Sequence, residues 1–290
     1  MAGGPSLDVV VVSYRCEGLL RDCLGSLDEH PASVPTQVQV VDNASGDGTA
    51  EMVRREFPDA TLTVNDENLG FSAANNIGIA AGSAPYVLVL NPDTRLTAGA
   101  LDGLLAVMEK EPGIGMAGPR LELDDGSFDH ASRRGFPTPL GALGHFTGLG
   151  RRGDAPTALS QYRAPEVDSG PVDAINGAFM LIRRSALDRV GLFDERYWMY
   201  MEDLDLCYRF AEAHWVTWYE PSVTVIHVKA GTSGQHRSLR LNYAFHYGMY
   251  RFYRDHYAAA RNPLVNGAVY TGIAMKFAIS ALRSAVARRL

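Results

Sequence analysis

Asn91-Pro92-Asp93 closes the apolar run Val87-Leu88-Val89-Leu90, and at this junction the chain shows its chemistry most openly. A short apolar run ended by a turn signal reads as a buried strand. Asp93 then stands just past the strand's carboxyl end, where open α/β sheets gather ligands. A carboxylate there suits a hard divalent cation held against a diphosphate. Asn-Pro-Asp is equally an ordinary turn, so the motif gains weight from its company. Ser13-Tyr14-Arg15, the loop from Asp42 to Thr49, Asn68-Leu69-Gly70-Phe71 and His227 also fall at or beside the ends of expected strands. Strand ends of one parallel sheet open on one crevice, so these groups can share a ligand. Asp42 can accept hydrogen bonds from ribose hydroxyls or a pyrimidine ring. An Asx turn capping the next helix would use the same residue, and Ser45, Asp47 and Thr49 read as that turn.

A second cluster lies far along the chain. Tyr197-Trp198-Met199-Tyr200-Met201 leads into Glu202-Asp203-Leu204-Asp205, three carboxylates that open a helix. Acidic groups in a first turn are stabilised by the helix dipole. A carboxylate beside apolar aromatics can also have its proton affinity raised, which suits a general base. Arg209 stands at i,i+4 from Asp205 and is spaced to pair with it. Upstream, Asn176-Gly177-Ala178 offers small residues where another group can approach the backbone. Asn75 and Asn76 are poor helix formers inside a helical stretch, and a role in holding neighbouring loops is expected of them.

The elements that must position these groups alternate. Strands are expected at 7–14, 37–42, 60–65, 86–90 and 114–123, with helices at 17–27, 49–56, 71–81 and 101–109 between them. That order implies βαβ units and a mainly parallel sheet. From Asp124 to about Asp173 periodicity is lost, as in loops that serve function; Arg133, Arg134, Arg151 and Arg152 in it read as solvated or as contacts to a phosphate, with solvation the better reading. Beyond it come an apolar stretch at 174–183, helices at 185–190 and 204–213, and two strands at 216–219 and 223–227.

At 290 residues the chain can bury a large core, and its formal net charge of −6 gives no reason to expect nucleic acid as a partner. Cys16, Cys23 and Cys207 lack metal spacing and read as reduced, cytosolic thiols. Met1 to Ser6 carries no basic run and Val9 to Val12 is too short for a signal core, so a cytoplasmic setting is expected. The tail changes character. Tyr243 to Tyr257 is crowded with aromatics, and the apolar window 264–282 contains a lysine, which is costly at a bilayer centre. A helix lying on a membrane surface fits better than a spanning one, and packing on the domain or on a second subunit of a homo-oligomer is the alternative.

Taken in order, VVSY, VDNASGDGT, NLGFSAANNIG, LNPDT, NGAFM, FDERYWMYMEDLDLCYR and the segment from His227 to Ser233 make the chain resemble the family 2 glycosyltransferases of the GT-A fold, particularly their bacterial rhamnosyltransferase-like branch. The resemblance runs from about Leu7 to Thr232. It implies an α/β GT-A domain over about 1–235, with a nucleotide-binding half to about 120, an acceptor-binding half beyond it, and a helical extension at 236–290. It implies inverting transfer of a sugar from a nucleotide diphosphate, dTDP-rhamnose first and UDP-sugars next, in cell-surface glycan biosynthesis. Ser13 and Asp42 would contact the nucleotide, with Tyr14, Asn68 and Asn91 beside it. Asp93 would hold Mg2+ or Mn2+ with His227, and Asp203, next to Glu202, would be the base. Asn91 departs from the family's Asp-x-Asp pattern, so two carboxylates on the cation are not implied. A glycan or lipid-linked acceptor at the inner membrane face matches the tail and the family. Two other classes use similar parts: a sugar-nucleotide nucleotidyltransferase, which lacks here the expected Gly-rich loop after the first strand, and a non-catalytic carbohydrate-binding protein.

Overall fold

The computed structural model describes residues 4, 6–137, 168–229 and 238–287. The first half alternates β1 (Leu7–Ser13), α1 (Glu17–Glu29), β2 (Thr36–Asp42), α2 (Thr49–Glu56), β3 (Thr61–Val64), α3 (Phe71–Ala81), β4 (Tyr86–Leu90), β5 (Thr94–Arg95), α4 (Ala100–Lys110) and β6 (Ile114–Glu122). Then follow β7 (Arg133–Arg134), β8 (Gly170–Pro171), β9 (Ala174–Ile175), β10 (Phe179–Arg183), α5 (Arg184–Val190), α6 (Glu202–Glu212), β11 (Val216–His227), α7 (Leu239–His256) and α8 (Pro263–Ala287).

Among the described residues the main sheet runs β3-β2-β1-β4-β10-β6-β11-β5. β1, β2, β3 and β4 are parallel, as is β6 with β11. β10 is antiparallel to both its neighbours, β4 and β6. That reversal matters for function: β10 begins where β4 ends, so Asn176-Gly177-Ala178 meets Asn91, and the Asn91 N–H donates to the Ala178 carbonyl at 2.9 Å.

Alternation along the central strands builds a core on each face. Val9, Val11, Leu88 and Leu90 face one way and pack with Leu20 and Leu24 of α1, Met52 of α2 and Leu104 of α4. Val10, Val87 and Val89 face the other and pack with Ile79 of α3, Leu204 and Phe210 of α6, and Phe252 of α7. Asp8 sits fully buried within β1; its Oδ2 accepts from Arg184 Nη2 at 2.7 Å and from the Ala84 N–H at 2.8 Å. Burying such a charge is tolerable only with partners of this kind.

The two strands expected at 216–219 and 223–227 are one strand, β11. Its register against β6 jumps between Glu220 and Thr224, so that Glu220 pairs with Pro119 and Thr224 with Arg120. Pro221, which offers no N–H to a ladder, lies in the displaced stretch and accounts for the bulge. The end of β11 pairs antiparallel with β5, His227 opposite Thr94, and this two-residue ladder closes the sheet beside Asp93.

Candidate active site

At the cation-suited end, the backbone sets the geometry. The Val228 N–H donates to the Asp93 carbonyl at 2.9 Å, holding the strand end of His227 against the Asn-Pro-Asp turn. Asp93 Oδ1 is buried without a hydrogen-bond partner and lies 3.5 Å from His227 Nε2. The other ring nitrogen of His227, Nδ1, is 3.0 Å from Asp129 Oδ2. Burial opposes charge on this imidazole, but the carboxylates of Asp129 and Asp93 outweigh it and raise its pKa from 6.5 to about 9. Burial alone would raise Asp129, yet His227 and Lys229 hold it well below the usual carboxylate range. Among the described residues no three His, Cys, Asp or Glu side chains form a metal cage. An orphaned carboxylate oxygen beside an imidazole nitrogen nevertheless fits a hard cation that draws its remaining ligands from diphosphate and water. Such a cation would have to displace the proton from His227 Nε2.

The second part of the site is the start of α6. Tyr200 and Met201 both take left-handed backbone, φ 71° and 73°, uncommon for residues with side chains. The turn is held from outside. Gly248 of α7 approaches it so closely that a Cβ would lie 2.9 Å from the Tyr200 carbonyl oxygen and 3.0 Å from Met201 Cγ. Tyr200 packs edge-on against Phe245 of the same helix, and Arg240 stacks 3.9 Å above the Trp198 ring. His256 Nε2 lies 2.7 Å from Asp205 Oδ1, and Asp205 Oδ2 accepts from Arg209 Nε at 2.8 Å. From inside, Asn76 of α3 donates to the Phe193 carbonyl at 2.9 Å and accepts from the Phe193 N–H at 3.1 Å, the loop-holding role expected of it.

Asp203 emerges from this turn almost buried. Its Oδ2 accepts from the Gly177 N–H at 3.0 Å and from Arg134 Nη2 at 2.5 Å, while Oδ1 accepts from the Leu204 N–H at 2.8 Å. Arg134 is brought there by β7, which pairs with β9 so that Arg134 lies opposite Ala174. Glu202 differs: it is buried, and its Oε2 has no hydrogen-bond partner. Burial, then the neighbouring Asp203, push its pKa well above the ordinary glutamate value. Burial and the adjacent carboxylate thus both favour the protonated form of Glu202, beside an Asp203 that is ion-paired with Arg134. A cleft of about 480 Å³ is lined by Asn91, His130, Arg134, Gly177, Glu202, Asp203 and Lys229 among others. Lys229 Nζ in turn lies 2.7 Å from Asp129 Oδ1, so the acidic cleft is tied through Asp129 to His227 and Asp93.

Along the sheet edge lies a second hollow of about 460 Å³, lined by Asp42, Ala44, Gly46, Gly48 and Thr49. Asp42 ends β2 opposite Ser13 of β1. Its Oδ1 accepts from the Ser45 N–H at 3.2 Å, so the Asx turn and the hollow use the same side chain. Ser13 is fully buried with its hydroxyl 3.2 Å from Cys16 Sγ, and Tyr14 lies 5.3 Å beneath the Arg15 guanidinium. Asn68 Oδ1 accepts from Asn43 Nδ2 at 3.1 Å and from the Gly70 N–H at 2.9 Å, closing the loop after β3.

The structure thus brings Asp93 next to His227, and Asn91, Glu202 and Asp203 into one cleft, with Asp42, Ser13, Tyr14 and Asn68 further along the same sheet edge. The solvated reading of Arg133 and Arg134 is overturned. Arg134 is paired with Asp203, and Arg133 is packed between the rings of Phe128 and Tyr219, at 5.3 and 5.2 Å. Arg151, Arg152 and residues 230–233 lie outside the described residues. Sequence reading missed Asp129 altogether, because its partners are 98 and 100 residues away and its surroundings lack periodicity.

A hollow and a carboxylate-bearing cleft on the carboxyl edge of such a sheet are the parts expected of a GT-A glycosyltransferase. The chain belongs to glycosyl transferase family 2, whose sequence profile matches residues 8–191. It is 35% identical over 268 residues to the N-acetylglucosaminyl-diphospho-decaprenol L-rhamnosyltransferase of Mycobacterium tuberculosis, covering 87% of this chain and 85% of that one. Its fold is shared by solved structures, two of which follow. GalNAc-T7, in complex with UDP, GalNAc and Mn2+, superposes with a TM-score of 0.62 at 14% identity, over 88% of this chain and 48% of that one. The mannosyltransferase PcManGT of Pyrobaculum calidifontis, with GDP-Man and Mn2+, gives 0.58 at 18% identity, over 99% of this chain and 74% of that one.

Proposed function

We propose that this family 2 glycosyltransferase is an inverting enzyme that moves a sugar, rhamnose from dTDP-rhamnose foremost, to a hydroxyl of a lipid-linked glycan acceptor. The observation that carries the reading is the shared cleft: Asp203 and Lys229 line it together, and Lys229 is linked through Asp129 to the Asp93–His227 pair. The rhamnosyltransferase relative, named for a decaprenol-linked acceptor, supports both substrates. The Mn2+ complexes of the two structural neighbours support a divalent cation.

In this reading Asp42 receives the nucleoside, while Asp93 and His227 hold the cation. That ion, when bound, offsets charge on the departing nucleoside diphosphate as a Lewis acid. Asp203 accepts the acceptor's proton. A carboxylate has about four lone-pair sites. The N–H groups of Gly177, Arg134 and Leu204 take three, leaving one on Oδ1 for the hydroxyl. Ion-paired and held by backbone, the carboxylate is fixed as attack begins, and one displacement inverts the anomeric carbon. Glu202 beside it lines the same cleft and, when protonated, can donate a hydrogen bond to the acceptor.

The tail supports a lipid-linked acceptor. Exposed Leu264, Met275, Ile279 and Leu282 of α8 fall at i, i+11, i+15 and i+18, one stripe of a helix. Tyr270 and Phe277 point the opposite way, onto Tyr250 and Tyr243 of α7. Residues 261–290 carry Arg261, Lys276, Arg283, Arg288 and Arg289 and no acidic residue, in a chain of net charge −6. An apolar stripe on a basic tail matches an anionic lipid surface at the cytoplasmic face. α8 is long and apolar enough to cross a membrane by length and composition. A surface role accommodates Lys276 better.

The test is a donor screen against a polyprenyl-diphosphate sugar, reading nucleoside diphosphate release with and without EDTA. Release from dTDP-rhamnose that EDTA abolishes is expected. Pyrophosphate release would instead mark a nucleotidyltransferase, and glycan binding without turnover a binding protein.

A further inference from the structure

We infer that Asp129 is a positioning residue of the cation site: it fixes the ring of His227 so that Nε2 faces Asp93, and it holds Lys229 toward the cleft. This rests on the proposed role of Asp93 and His227, and adds a residue that touches neither cation nor substrate.

Asp129 is itself unusually well fixed. Its N–H donates to the Leu121 carbonyl at 2.9 Å, on the turn that follows the Glu122–Phe128 bridge. Its Oδ1 accepts from the Ala131 N–H at 2.9 Å, and its side chain is 2% exposed. The carboxylate then serves two neighbours at once, Oδ2 the His227 Nδ1 at 3.0 Å and Oδ1 the Lys229 ammonium at 2.7 Å. A carboxylate on Nδ1 requires the proton there, which leaves Nε2 as the free lone pair of the neutral ring. Nε2 is the nitrogen that lies 3.5 Å from Asp93 Oδ1, a buried oxygen that no hydrogen bond satisfies. A carboxylate behind a ligating histidine fixes its tautomer and orientation and makes it a better donor.

Lys229 completes the device. Its backbone is left-handed, φ 49°, and it stays half-exposed on the cleft wall while Asp129 fixes its ammonium. A cation anchored beside the proposed diphosphate position would give that anion a second positive partner. A single buried carboxylate thereby sets the placement of both.

The test is a double-mutant cycle on Asp129 and His227, read by calorimetry of Mn2+ binding in the presence of dTDP and, separately, UDP, with no acceptor and no turnover. Asp129→Ala is expected to weaken Mn2+ about 10–100-fold, and Asp129→Asn, which keeps an acceptor for Nδ1–H, less. His227→Ala should lose at least as much as Asp129→Ala, and the double variant should lose less than the product of the two single losses, the remainder beyond His227→Ala being the share of Lys229. Full Mn2+ affinity in folded Asp129→Ala or Asp129→Asn would overturn the proposal, as would losses that multiply in the double variant. If Asp129→Ala does not fold, the cycle is run with Asp129→Asn under the same criteria. A wild-type chain that binds no Mn2+ with either nucleotide removes the cation site itself and this role with it. Wild-type binding that survives both Asp129 variants removes only the role of Asp129.

Discussion

Replacing Asp203 by Asn changes one atom at the centre of the proposed chemistry and nearly nothing in shape. Asn keeps a carbonyl oxygen for one of the N–H groups of Gly177 and Leu204, but it cannot take a proton and carries no charge for Arg134. Positioned general bases contribute about 10²–10⁴-fold, so turnover should fall by that factor, about 2.7–5.4 kcal/mol in the barrier. A second cost is structural. Asp203 and Arg134 are 12% and 15% exposed, and a hydrogen bond to a charged group is worth about 1.5–3 kcal/mol. The urea midpoint should therefore drop too, while the chain stays folded. Asp203 is not among the groups around Asp93 and His227, so donor binding with Mn2+ should change little. The assay pairs nucleoside diphosphate release at saturating donor with calorimetry of donor and metal. Turnover within about three-fold of the parent in folded Asp203→Asn would be too small for a general base and would refute the assignment.

Glu202 carries a pH signature of opposite sense to a paired carboxylate. Its pKa is raised in the folded chain, so its contribution is complete below about pH 4.3, the unfolded value, and is lost as pH rises toward the folded value. Glu202→Gln should therefore gain stability relative to the parent between pH 5 and pH 8 in urea titrations; an unchanged difference at the two pH values contradicts a neutral Glu202. Arg184→Met strands the buried Asp8 carboxylate and should cost about 3–5 kcal/mol, read as a lower urea midpoint, whereas an unmoved midpoint would deny the pair its structural role. Gly248→Ala forces a methyl group against the Tyr200 carbonyl, with an expected loss of about 1–3 kcal/mol and a fall in kcat larger than any rise in donor KM. Unchanged kcat there would mean that α7 does not hold the base-bearing turn.

Local pattern carried much of the first half of the molecule. α2, α3 and β4 have the ends their apolar periodicity predicts, because each buries one face or both within a few residues of chain. Motifs at strand ends were legible for the same reason, since a turn residue after an apolar run marks its own position. Three features were not. β10 runs antiparallel among strands that local alternation alone would make parallel, and its direction is set by what precedes it over residues without periodicity. The bulge in β11 looks in sequence like a gap between two strands. Arg134 and Asp129 act across 69 and 98 residues, on a segment whose composition suggests only loop. Long-range polar pairs leave no period to read.

The displaced stretch of β11 has an arithmetic consequence for inheritance. Side chains on a strand alternate, and a one-residue slip reverses every facing that follows. Residues 221–223 are extra relative to β6, an odd number, so the half-strand ending at His227 is out of phase with the half that begins at Val216. Facing in the last half is set by its own pairing with Arg120, Leu121 and Glu122 and with Thr94, so the stretch between Glu220 and Thr224 can change in length while that pairing keeps His227 on its present side. The imidazole proposed as a cation ligand thus owes its direction to the ladder beyond the bulge, and only a slip of that ladder by one residue would turn it to the opposite side of the sheet.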